Sequence, residues 1–423
     1  MSCLVAGAAT GCLSSPPSAI RDGGADDDAG DGGIELGQCK PSPNYFGGAS
    51  GDIDRDSRDD LLLLSGDTES GEIEVWLSEL DFEPRCVALD HLVPRGAVIA
   101  DLSNEFAGNE VFVLAFTNGG VRRGLLFATD PPAPRLVATI PMGMDVHFSI
   151  YDRIDLVAVQ GPLGWFFAYH GGHGDVSSPF TGDVEGLEWH ELSDMPGARL
   201  ANVLAVSLHL VGDDVVAFAA TPDLVAWYDT SELPGTGPIN AEDDVATNAP
   251  LEAGAFADLD LADGDDCPDL LGVYTDTDSN YHVIRWNDVV CDPTPVFGAQ
   301  NGFAPAVAAP GELVPVMAAA QLDAGGQPDL VFVVRNGSQR VMRGMRNAHL
   351  DEVDGSECGT ADAEEEACSD TGQELPTDLT SDAVSVIPID GDADGEDEII
   401  LAGEGAVASC YELVAGDWQT CPQ

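Results

Sequence analysis

Short runs of apolar residues, each preceded by an acidic turn, recur along the whole chain. The run Leu61–Leu64 follows a turn that ends at Asp60, and the run Ile399–Leu401 follows one that ends at Glu398. Further turn signals separate the runs, and no long segment has the 3.6-residue period of a helix. The pattern therefore predicts an all-β protein built from many short strands.

The acidic turn and its apolar run form an internal repeat. Copies follow one another at intervals of roughly 45 to 70 residues, which suits one four-stranded unit per copy. Small residues precede several turns, as strands crowded around a central axis require, and an aromatic residue usually follows on a later strand. We predict a seven-bladed β-propeller, with a solenoid of the same units as the alternative. The acidic residues that mark the seven copies are Asp60, Glu110, Asp155, Asp214, Asp269, Asp329 and Glu398.

Three of the turns carry oxygen side chains at a spacing that suits Ca²⁺, which takes six to eight oxygen ligands. Asp and Gly also form ordinary solvated turns, but two loops with the same spacing favour metal binding. The pattern begins like an EF-hand but closes at position 9 and has no flanking helices. Positions 1, 3, 5 and 9 hold Asp52, Asp54, Asp56 and Asp60 in one loop and Asp390, Asp392, Asp394 and Glu398 in another, and an expanded copy offers Asp258, Asp260, Asp263, Asp265 and Asp269.

The loop and its strand resemble the FG-GAP/VCBS repeat of integrin α-chain propellers and of many bacterial secreted proteins. The naming motif itself precedes the first loop as Phe46-Gly47-Gly48-Ala49, and the resemblance covers residues 40–423. It implies that calcium loops join the first and second strands of a blade and stiffen one rim. It also implies that ligands bind on loops of the opposite face. The second, third, fourth and sixth copies have lost ligands, so the resemblance does not imply calcium there.

Charge narrows the range of partners. The chain has 75 acidic and 16 basic residues and a net charge of −59. Phosphate binding needs clustered Lys and Arg, so nucleic acid is excluded as a partner. Calcium loops account for part of the acidity.

The N-terminal residues predict export. Residues 1–12 are small and apolar and end in a sequence that resembles a bacterial lipobox, with Cys12 as the lipidated residue. A basic n-region is missing, so we expect the true signal to be longer. Residues 13–37 are rich in Pro, Asp and Gly and predict a disordered linker. The propeller would then span 38–423, with an acidic loop insertion at 350–382, on an outer-membrane lipoprotein or at the cell surface, in contact with the membrane only through the lipid.

The cysteines agree with export. With Cys3 assigned to the signal and Cys12 to the lipid, eight remain, an even number that fits disulfides, although many connectivities are possible. Zinc is the alternative, but the CxxC spacing typical of zinc sites is absent. Local pairing predicts Cys39–Cys86, Cys267–Cys291, Cys358–Cys368 and Cys410–Cys421.

No catalytic motif stands out. The sequence has no GxSxG elbow, P-loop or HExxH, and His170-Gly171-Gly172-His173 is more typical of a solvated turn than of a metal site. We therefore expect a non-enzymatic binding or adhesion module for a protein or glycan. A carbohydrate-active enzyme, either a polysaccharide lyase or a glycosidase, is the alternative on this scaffold, and a structural surface-assembly component is a third possibility.

Overall fold

The computed structural model describes most of the chain from residue 44 onward, and the statements below concern that part. The described ranges are 44–67, 69–78, 84–103, 108–128, 135–144, 154–171, 173–181, 187–195, 198–231, 233, 238–247, 250–257, 269–275, 281–286, 300–302, 312–322, 329–336, 339–345, 371–374, 384–403, 408–414 and 417–421. Residues 1–37, with the predicted lipobox and linker, lie outside them. Among the described residues, no helix is long and apolar enough to cross a membrane.

These residues form thirty strands. They are β1 (Tyr45–Gly51), β2 (Asp60–Gly66), β3 (Gly71–Trp76), β4 (Pro84–Leu89), β5 (Val93–Ala100), β6 (Glu110–Phe116), β7 (Val121–Ala128), β8 (Arg135–Met144), β9 (Asp155–Gly161), β10 (Gly164–His170), β11 (Gly174–Ser177), β12 (Trp189–Met195), β13 (Ala198–Arg199), β14 (Ala205–Val211), β15 (Asp214–Ala220), β16 (Leu224–Asp229), β17 (Ile239–Asn240), β18 (Asp243–Ala246), β19 (Ala253–Ala257), β20 (Asp269–Thr275), β21 (Tyr281–Trp286), β22 (Gln300–Gly302), β23 (Glu312–Ala320), β24 (Asp329–Asn336), β25 (Gln339–Met345), β26 (Thr371–Glu374), β27 (Val384–Ile389), β28 (Glu398–Gly403), β29 (Ser409–Val414) and β30 (Asp417–Thr420).

The strands form seven sheets, numbered here in chain order, and the all-β prediction is confirmed. Six sheets have four antiparallel strands that pair in sequence order: β1–β4, β5–β8, β14–β15–β16–β18, β19–β22, β23–β26 and β27–β30. Sheet 3 is larger, because β9 to β13 pair in order and β17 adds a parallel partner to β12. Antiparallel strands that pair in sequence order can be joined by turns as short as two residues.

The first strands of successive sheets lie against one another. β1 contacts β5, β5 contacts β9, and the contacts continue through β14, β19 and β23 to β27, which contacts β1. Apolar clusters fill the spaces between neighbouring sheets. One joins Leu62 and Val75 of sheet 1 to Val113 of sheet 2, and another joins Leu63 of sheet 1 to Ile400 of sheet 7. The core is therefore distributed between sheets.

The Phe46-Gly47-Gly48-Ala49 motif lies on β1, at the contact with its neighbours. Phe46 occupies a bulge in the pairing of β1 with β2, and Arg95 occupies the corresponding bulge of β5. The Arg95 guanidinium lies 3.9 Å from the centroid of the Phe46 ring, at cation–π distance. A Cβ on Gly48 would lie 2.3 Å from the Leu62 carbonyl oxygen, so only glycine fits there.

Two sequence assignments need correction. The resemblance implies that each acidic turn precedes the second strand of its repeat, but the run that follows Asp155, Leu156–Val159, belongs to β9, the first strand of sheet 3. Its second strand, β10, follows after the short turn at Pro162 and Leu163, so the acidic turn at Asp155 precedes the sheet. The predicted insertion 350–382 lies outside the described residues except for Thr371–Glu374, which form β26 of sheet 6.

The cysteines can be checked in part. Cys410 and Cys421 form the predicted disulfide, with a Cα–Cα distance of 5.4 Å. Cys86 is also disulfide-bonded, while its predicted partner Cys39 lies outside the described residues. The other two predicted pairs lie outside them as well.

Candidate metal centre

Two acidic loops occupy equivalent places in sheets 1 and 7. Loop 1 (residues 52–60) joins β1 to β2, and loop 7 (residues 390–398) joins β27 to β28. Each joins the first strand of its sheet to the second, as the resemblance implies. Loop positions are numbered from 1 at Asp52 and Asp390 to 9 at Asp60 and Glu398.

The two loops share an unusual backbone conformation. At position 4, Arg55 and Ala393 have φ values of 64° and 61°. At position 6, Ser57 and Gly395 have φ values of 73° and 87°. Left-handed residues at alternate positions wind the chain tightly, and non-glycine residues adopt them at some cost. Ser57 thus adopts at position 6 a conformation that glycine supplies in loop 7.

Equivalent hydrogen bonds hold the two loops. The position 5 N–H donates to the position 3 carboxylate at 3.2 Å in both loops, from Asp56 to Asp54 and from Asp394 to Asp392. The position 7 N–H donates to the position 5 carboxylate at 2.9 Å in both. The position 2 N–H donates to the position 9 carboxylate, at 2.8 Å in loop 1 and 3.0 Å in loop 7. The two loops therefore share one pattern of backbone hydrogen bonds to loop carboxylates.

Each loop brings three carboxylates together. In loop 1, oxygens of Asp52, Asp54 and Asp60 lie within 4.8 Å of one another. In loop 7, oxygens of Asp390, Asp392 and Asp394 do the same. Like charges this close repel, by about 1 kcal/mol per pair even in water. A divalent cation among the oxygens would remove that repulsion.

Not every predicted ligand joins these groups. Asp56 accepts hydrogen bonds from the Arg58 N–H at 2.9 Å and the Ser78 hydroxyl at 3.3 Å, and it stands outside the loop 1 group. Glu398 accepts the Gly391 N–H and stands outside the loop 7 group. The third predicted set is not described: Asp258, Asp260, Asp263 and Asp265 lie outside the described residues, and Asp269 is described only as the first residue of β20.

Three carboxyls at the ends of the loops, those of Asp60, Asp397 and Glu398, have raised pKa values. Burial raises the pKa of Asp60 to about 6, against the hydrogen bonds from the Ser78 and Ile53 N–H groups. Burial, with added repulsion from Asp392 and Asp390, raises the pKa of Glu398 to about 7. Burial, with added repulsion from Asp59 and Asp390, raises the pKa of Asp397 to about 6. A nearby cation would shift each pKa down again.

The chemistry of the loop 7 group fits a hard cation. Asp390 Oδ1 is shielded from solvent and has no hydrogen-bond partner among the described residues, although the Gly395 and Ala393 N–H groups stabilise the negative charge of this carboxylate. A buried carboxylate oxygen left in this way is costly, and a metal ion is one of the few partners that would satisfy it beside two further carboxylates. The residues present therefore fit Ca²⁺.

The carboxylate that opens the second strand has a structural role in other sheets too. Glu110 at the start of β6 accepts the Ser103 N–H at 2.8 Å, and Asp329 at the start of β24 accepts the Leu322 N–H at 2.9 Å. Both acids are buried. In the sequence these two acids were identified only as markers of the repeat. Their regular position directly before each apolar run is the sequence signal for their role as acceptors of a loop N–H.

The two histidines of the His170-Gly171-Gly172-His173 segment contact different carboxylates. His170 Nε2 lies 3.1 Å from Asp155 Oδ2, and His173 Nε2 lies 3.7 Å from Asp175 Oδ2. His173 also packs edge-on against the Tyr169 ring. Each histidine is thus held by its own acid, and the segment is not among the groups of potential metal ligands found in the described residues.

Comparison with known proteins gives no family. No family model matches the chain, and no curated protein matches it. Among solved structures, the chain is similar to a mutant of the Aleuria aurantia lectin in complex with alpha-methyl-L-fucoside. The identity is 11%, the match covers 78% of this chain and 94% of the lectin, and the TM-score is 0.40. A likeness this distant carries no functional argument, so function has to be inferred from the chain's own residues.

Proposed function

We propose that the chain is an exported, lipid-anchored, calcium-stabilised β-propeller of seven blades that serves as a non-enzymatic binding or adhesion module for a protein or glycan at the cell surface. The run of contacts between first strands, from β1 through each sheet to β27 and back to β1, supports a closed ring. A closed ring also protects each sheet's edges and buries both of its faces.

The observation that carries the calcium proposal is the identity of the two loops. Loops 1 and 7 share left-handed residues at positions 4 and 6, three equivalent hydrogen bonds and a group of three carboxylates. Asp52, Asp54 and Asp60 would hold one ion and Asp390, Asp392 and Asp394 another, with the position 7 carbonyl of Glu396 as a further ligand. The expanded loop with Asp258, Asp260, Asp263, Asp265 and Asp269 would hold a third. The ion would supply the positive charge that keeps the carboxylates together.

The opposite face is the proposed ligand surface. The turns that join second to third strands lie there, and those at 67–70 and 117–120 are short and closed by hydrogen bonds. Short turns of this kind on packed sheets are rigid, and a rigid surface lowers the entropy cost of binding. The ligand on that surface would be a protein or a glycan.

Export and anchoring form a separate part of the proposal. Cys12 would carry the lipid and residues 13–37 would tether the propeller to it. Disulfides persist in oxidising compartments outside the cytosol. The Cys410–Cys421 disulfide and the bonded Cys86 therefore favour export.

Calcium stoichiometry and thermal melting test the proposal together. We expect EDTA-stripped protein to take up about three ions and to melt at a higher temperature when refilled, because a ligand of the folded state stabilises it. Asp392→Ala and Asp54→Ala should each lose one ion and lower the melting temperature. Asp213→Ala is the matched control, because Asp213 is an exposed acid in the two-residue turn between β14 and β15. Unchanged melting with EDTA and in both loop variants would contradict the calcium proposal.

The ligand needs its own test. The refilled protein should bind members of a glycan and cell-surface protein array without converting them. Turnover of a polysaccharide panel would instead favour the carbohydrate-active enzyme, and calcium-dependent self-association in gel filtration would favour a surface-assembly component.

A further inference from the structure

Loops of neighbouring sheets are hydrogen-bonded to each other at one recurrent position. Between sheets 7 and 1, the Asp59 N–H donates to the Asp390 carbonyl oxygen at 3.1 Å. In return, the Asp390 N–H donates to Asp59 Oδ2 at 3.4 Å. Asp59 is position 8 of loop 1 and Asp390 is position 1 of loop 7. The pair is reciprocal, because each residue both donates and accepts.

The same reciprocal pair joins sheets 6 and 7. Loop 6 (residues 321–329) begins at Gln321, and its position 9 is Asp329. The Asp397 N–H donates to the Gln321 carbonyl oxygen, and the Gln321 N–H donates to Asp397 Oδ2 at 2.6 Å. Position 8 of one loop is again joined to position 1 of the loop in the preceding sheet.

A variant of the pair joins sheets 1 and 2. Loop 2 (residues 101–110) is one residue longer, and Asn109 stands just before its final acid. The Asn109 N–H donates to the Ile53 carbonyl oxygen at 2.9 Å, and Asn109 Nδ2 donates to the Asp52 carbonyl oxygen at 2.6 Å. An ion pair between Arg55 and Asp101 at 2.8 Å adds to the contact. Three successive interfaces therefore use the residue before the final acid as the link.

Of these three links between described loops, the one between sheets 7 and 1 joins two complete acidic groups. Asp390 supplies a carboxylate to the loop 7 group, while its backbone is held by Asp59. Asp59 directly precedes Asp60, which supplies a carboxylate to the loop 1 group. Ordering loop 1 around an ion would therefore help to order Asp390, a ligand of loop 7, and ordering loop 7 would help to order Asp59, the residue next to the loop 1 ligand Asp60. The second ion would then meet a loop that has already lost part of its conformational freedom.

We propose that Asp59 is a positioning residue through which calcium binding in loop 7 raises the affinity of loop 1, and the reverse. This inference rests on the proposed calcium function. Coupling between two sites is reciprocal, so each ion must strengthen the other by the same factor. A coupling at the low end of the usual range corresponds to about a fivefold change in affinity.

The test is a calcium titration by calorimetry on the EDTA-stripped full-length chain. Asp260→Ala is introduced throughout to disable the predicted third loop. Loop 7 is then disabled by Asp392→Ala and loop 1 by Asp54→Ala. We expect each substitution to weaken the remaining site by about fivefold or more, and by equal factors. This comparison leaves Asp59 unaltered, so it does not depend on how an Asp59 variant folds.

Substitutions of Asp59 then locate the coupling. In Asp59→Ala the coupling factor should fall, because the side-chain acceptor for the Asp390 N–H is gone and only the backbone bond from the Asp59 N–H to the Asp390 carbonyl oxygen is left. In Asp59→Asn the coupling should return, because an amide oxygen can accept the same hydrogen bond. Asn109→Ala is the matched control: it removes the side-chain half of the corresponding link to sheet 2, where the described residues hold no second acidic group, and it should leave the coupling factor unchanged. Melting temperatures in saturating calcium check that each variant is folded.

The outcomes separate this inference from the proposed function. A chain that binds no calcium overturns the calcium proposal and this inference with it. Two ions that bind with the same affinities whether or not the other loop is intact overturn the coupling and leave the calcium proposal standing. Coupling that is undiminished in Asp59→Ala overturns the positioning role of the Asp59 side chain.

Discussion

Asp59 and Asp390 are 331 residues apart in the sequence, yet the backbone N–H of each donates to an oxygen of the other. The same interface buries Leu61 and Leu63 of the first sheet against Ile387 of the last. The two ends of the described chain are thus joined both through polar loop contacts and through the core. Changes at this junction should affect the whole assembly, because contacts between sequence-distant strands carry a large entropy cost to form.

Gly48 and Gly47 provide a matched pair of substitutions at this junction. A Cβ on Gly48 would lie 2.3 Å from the Leu62 carbonyl oxygen and 2.5 Å from Ile387 Cδ1, whereas a Cβ on Gly47 would meet nothing closer than 3.8 Å. We expect Gly48→Ala to lower the free energy of unfolding by about 2–3 kcal/mol, as overpacking does. Gly47→Ala should cost less than about 1 kcal/mol. Urea denaturation of both variants checks this, and equal losses would contradict the close approach.

Position 6 of the two loops offers a second pair. Ser57 and Gly395 both have positive φ, and a Cβ on Gly395 would meet no atom within 4 Å. Gly395→Ala should therefore cost about 1 kcal/mol from backbone conformation alone. Ser57→Gly should gain about 0.5 kcal/mol, since relief of the left-handed strain outweighs the greater freedom of glycine in the unfolded chain. Thermal melts in excess calcium measure both, and a loss in Ser57→Gly would show that its side chain matters more than its backbone.

Much of the fold could be predicted from the sequence because the repeat has a strong local signal. The acid, turn and apolar run recur seven times, and the described strands form seven sheets. Sheet 3 was misread because its first and second strands are joined at Pro162 and Leu163 without an acidic loop. The acidic turn before Leu156 was therefore assigned to the wrong strand.

The candidate site could be predicted only in part. Spacing located the loops, but it could not show that Ser78 binds Asp56 or that Gly391 binds Glu398, because those partners depend on tertiary structure. The links between loops were missed for a similar reason. Asp59, Asn109 and Asp397 share a place before the final acid, but their partners lie in other sheets and differ in residue type.

The raised pKa values in the loops predict opposite pH dependence with and without calcium. Burial raises the folded-state pKa of Glu398 to about 7 and that of Asp60 to about 6, above the ordinary values of about 4 found in an unfolded chain. The folded state then holds protons that the unfolded state releases, so stability in EDTA should fall as pH rises from about 4 to 7. Calcium binds the ionised carboxylates, so in excess calcium stability should rise over the same range.

Melting temperatures at pH 5 and pH 7.5, in EDTA and in calcium, measure this reversal. Glu398→Gln should reduce the decrease in melting temperature between pH 5 and pH 7.5 in EDTA, because Glu398 has a higher pKa than Asp60 and the substitution removes it. Glu242→Gln removes one exposed negative charge and should leave the slope nearly unchanged. A fall of equal size in calcium and in EDTA would show that general repulsion between the acidic residues, and not the loops, sets the pH dependence.

A buried ion pair between sheets 2 and 3 gives the last prediction, which does not depend on calcium. Asp175 Oδ2 accepts from Arg122 Nη1 at 2.8 Å and from the Tyr169 hydroxyl at 2.7 Å. Burial opposes the charge on Asp175, but the neighbouring His173 and the charge of Arg122 outweigh it and hold its pKa below the usual value. Asp175→Ala would leave Arg122 buried without this partner, so we expect a loss of about 3–5 kcal/mol. Replacing both residues, with Arg122→Met and Asp175→Leu, should restore most of the stability that Asp175→Ala loses.

Denaturation at two pH values completes this test. Because the folded-state pKa of Asp175 is lowered, the stability that it contributes is present above the unfolded value of about 4 and is lost as pH falls below it. The difference in free energy of unfolding between wild type and Asp175→Ala should therefore be larger at pH 7 than at pH 3. Tyr169→Phe is the conservative control, since it removes the hydroxyl that donates to Asp175 and accepts from Arg122 Nη1 but keeps the ion pair, and it should cost about 1–2 kcal/mol. A double variant as unstable as Asp175→Ala would mean that packing at this interface, and not the unpaired charge, causes the loss.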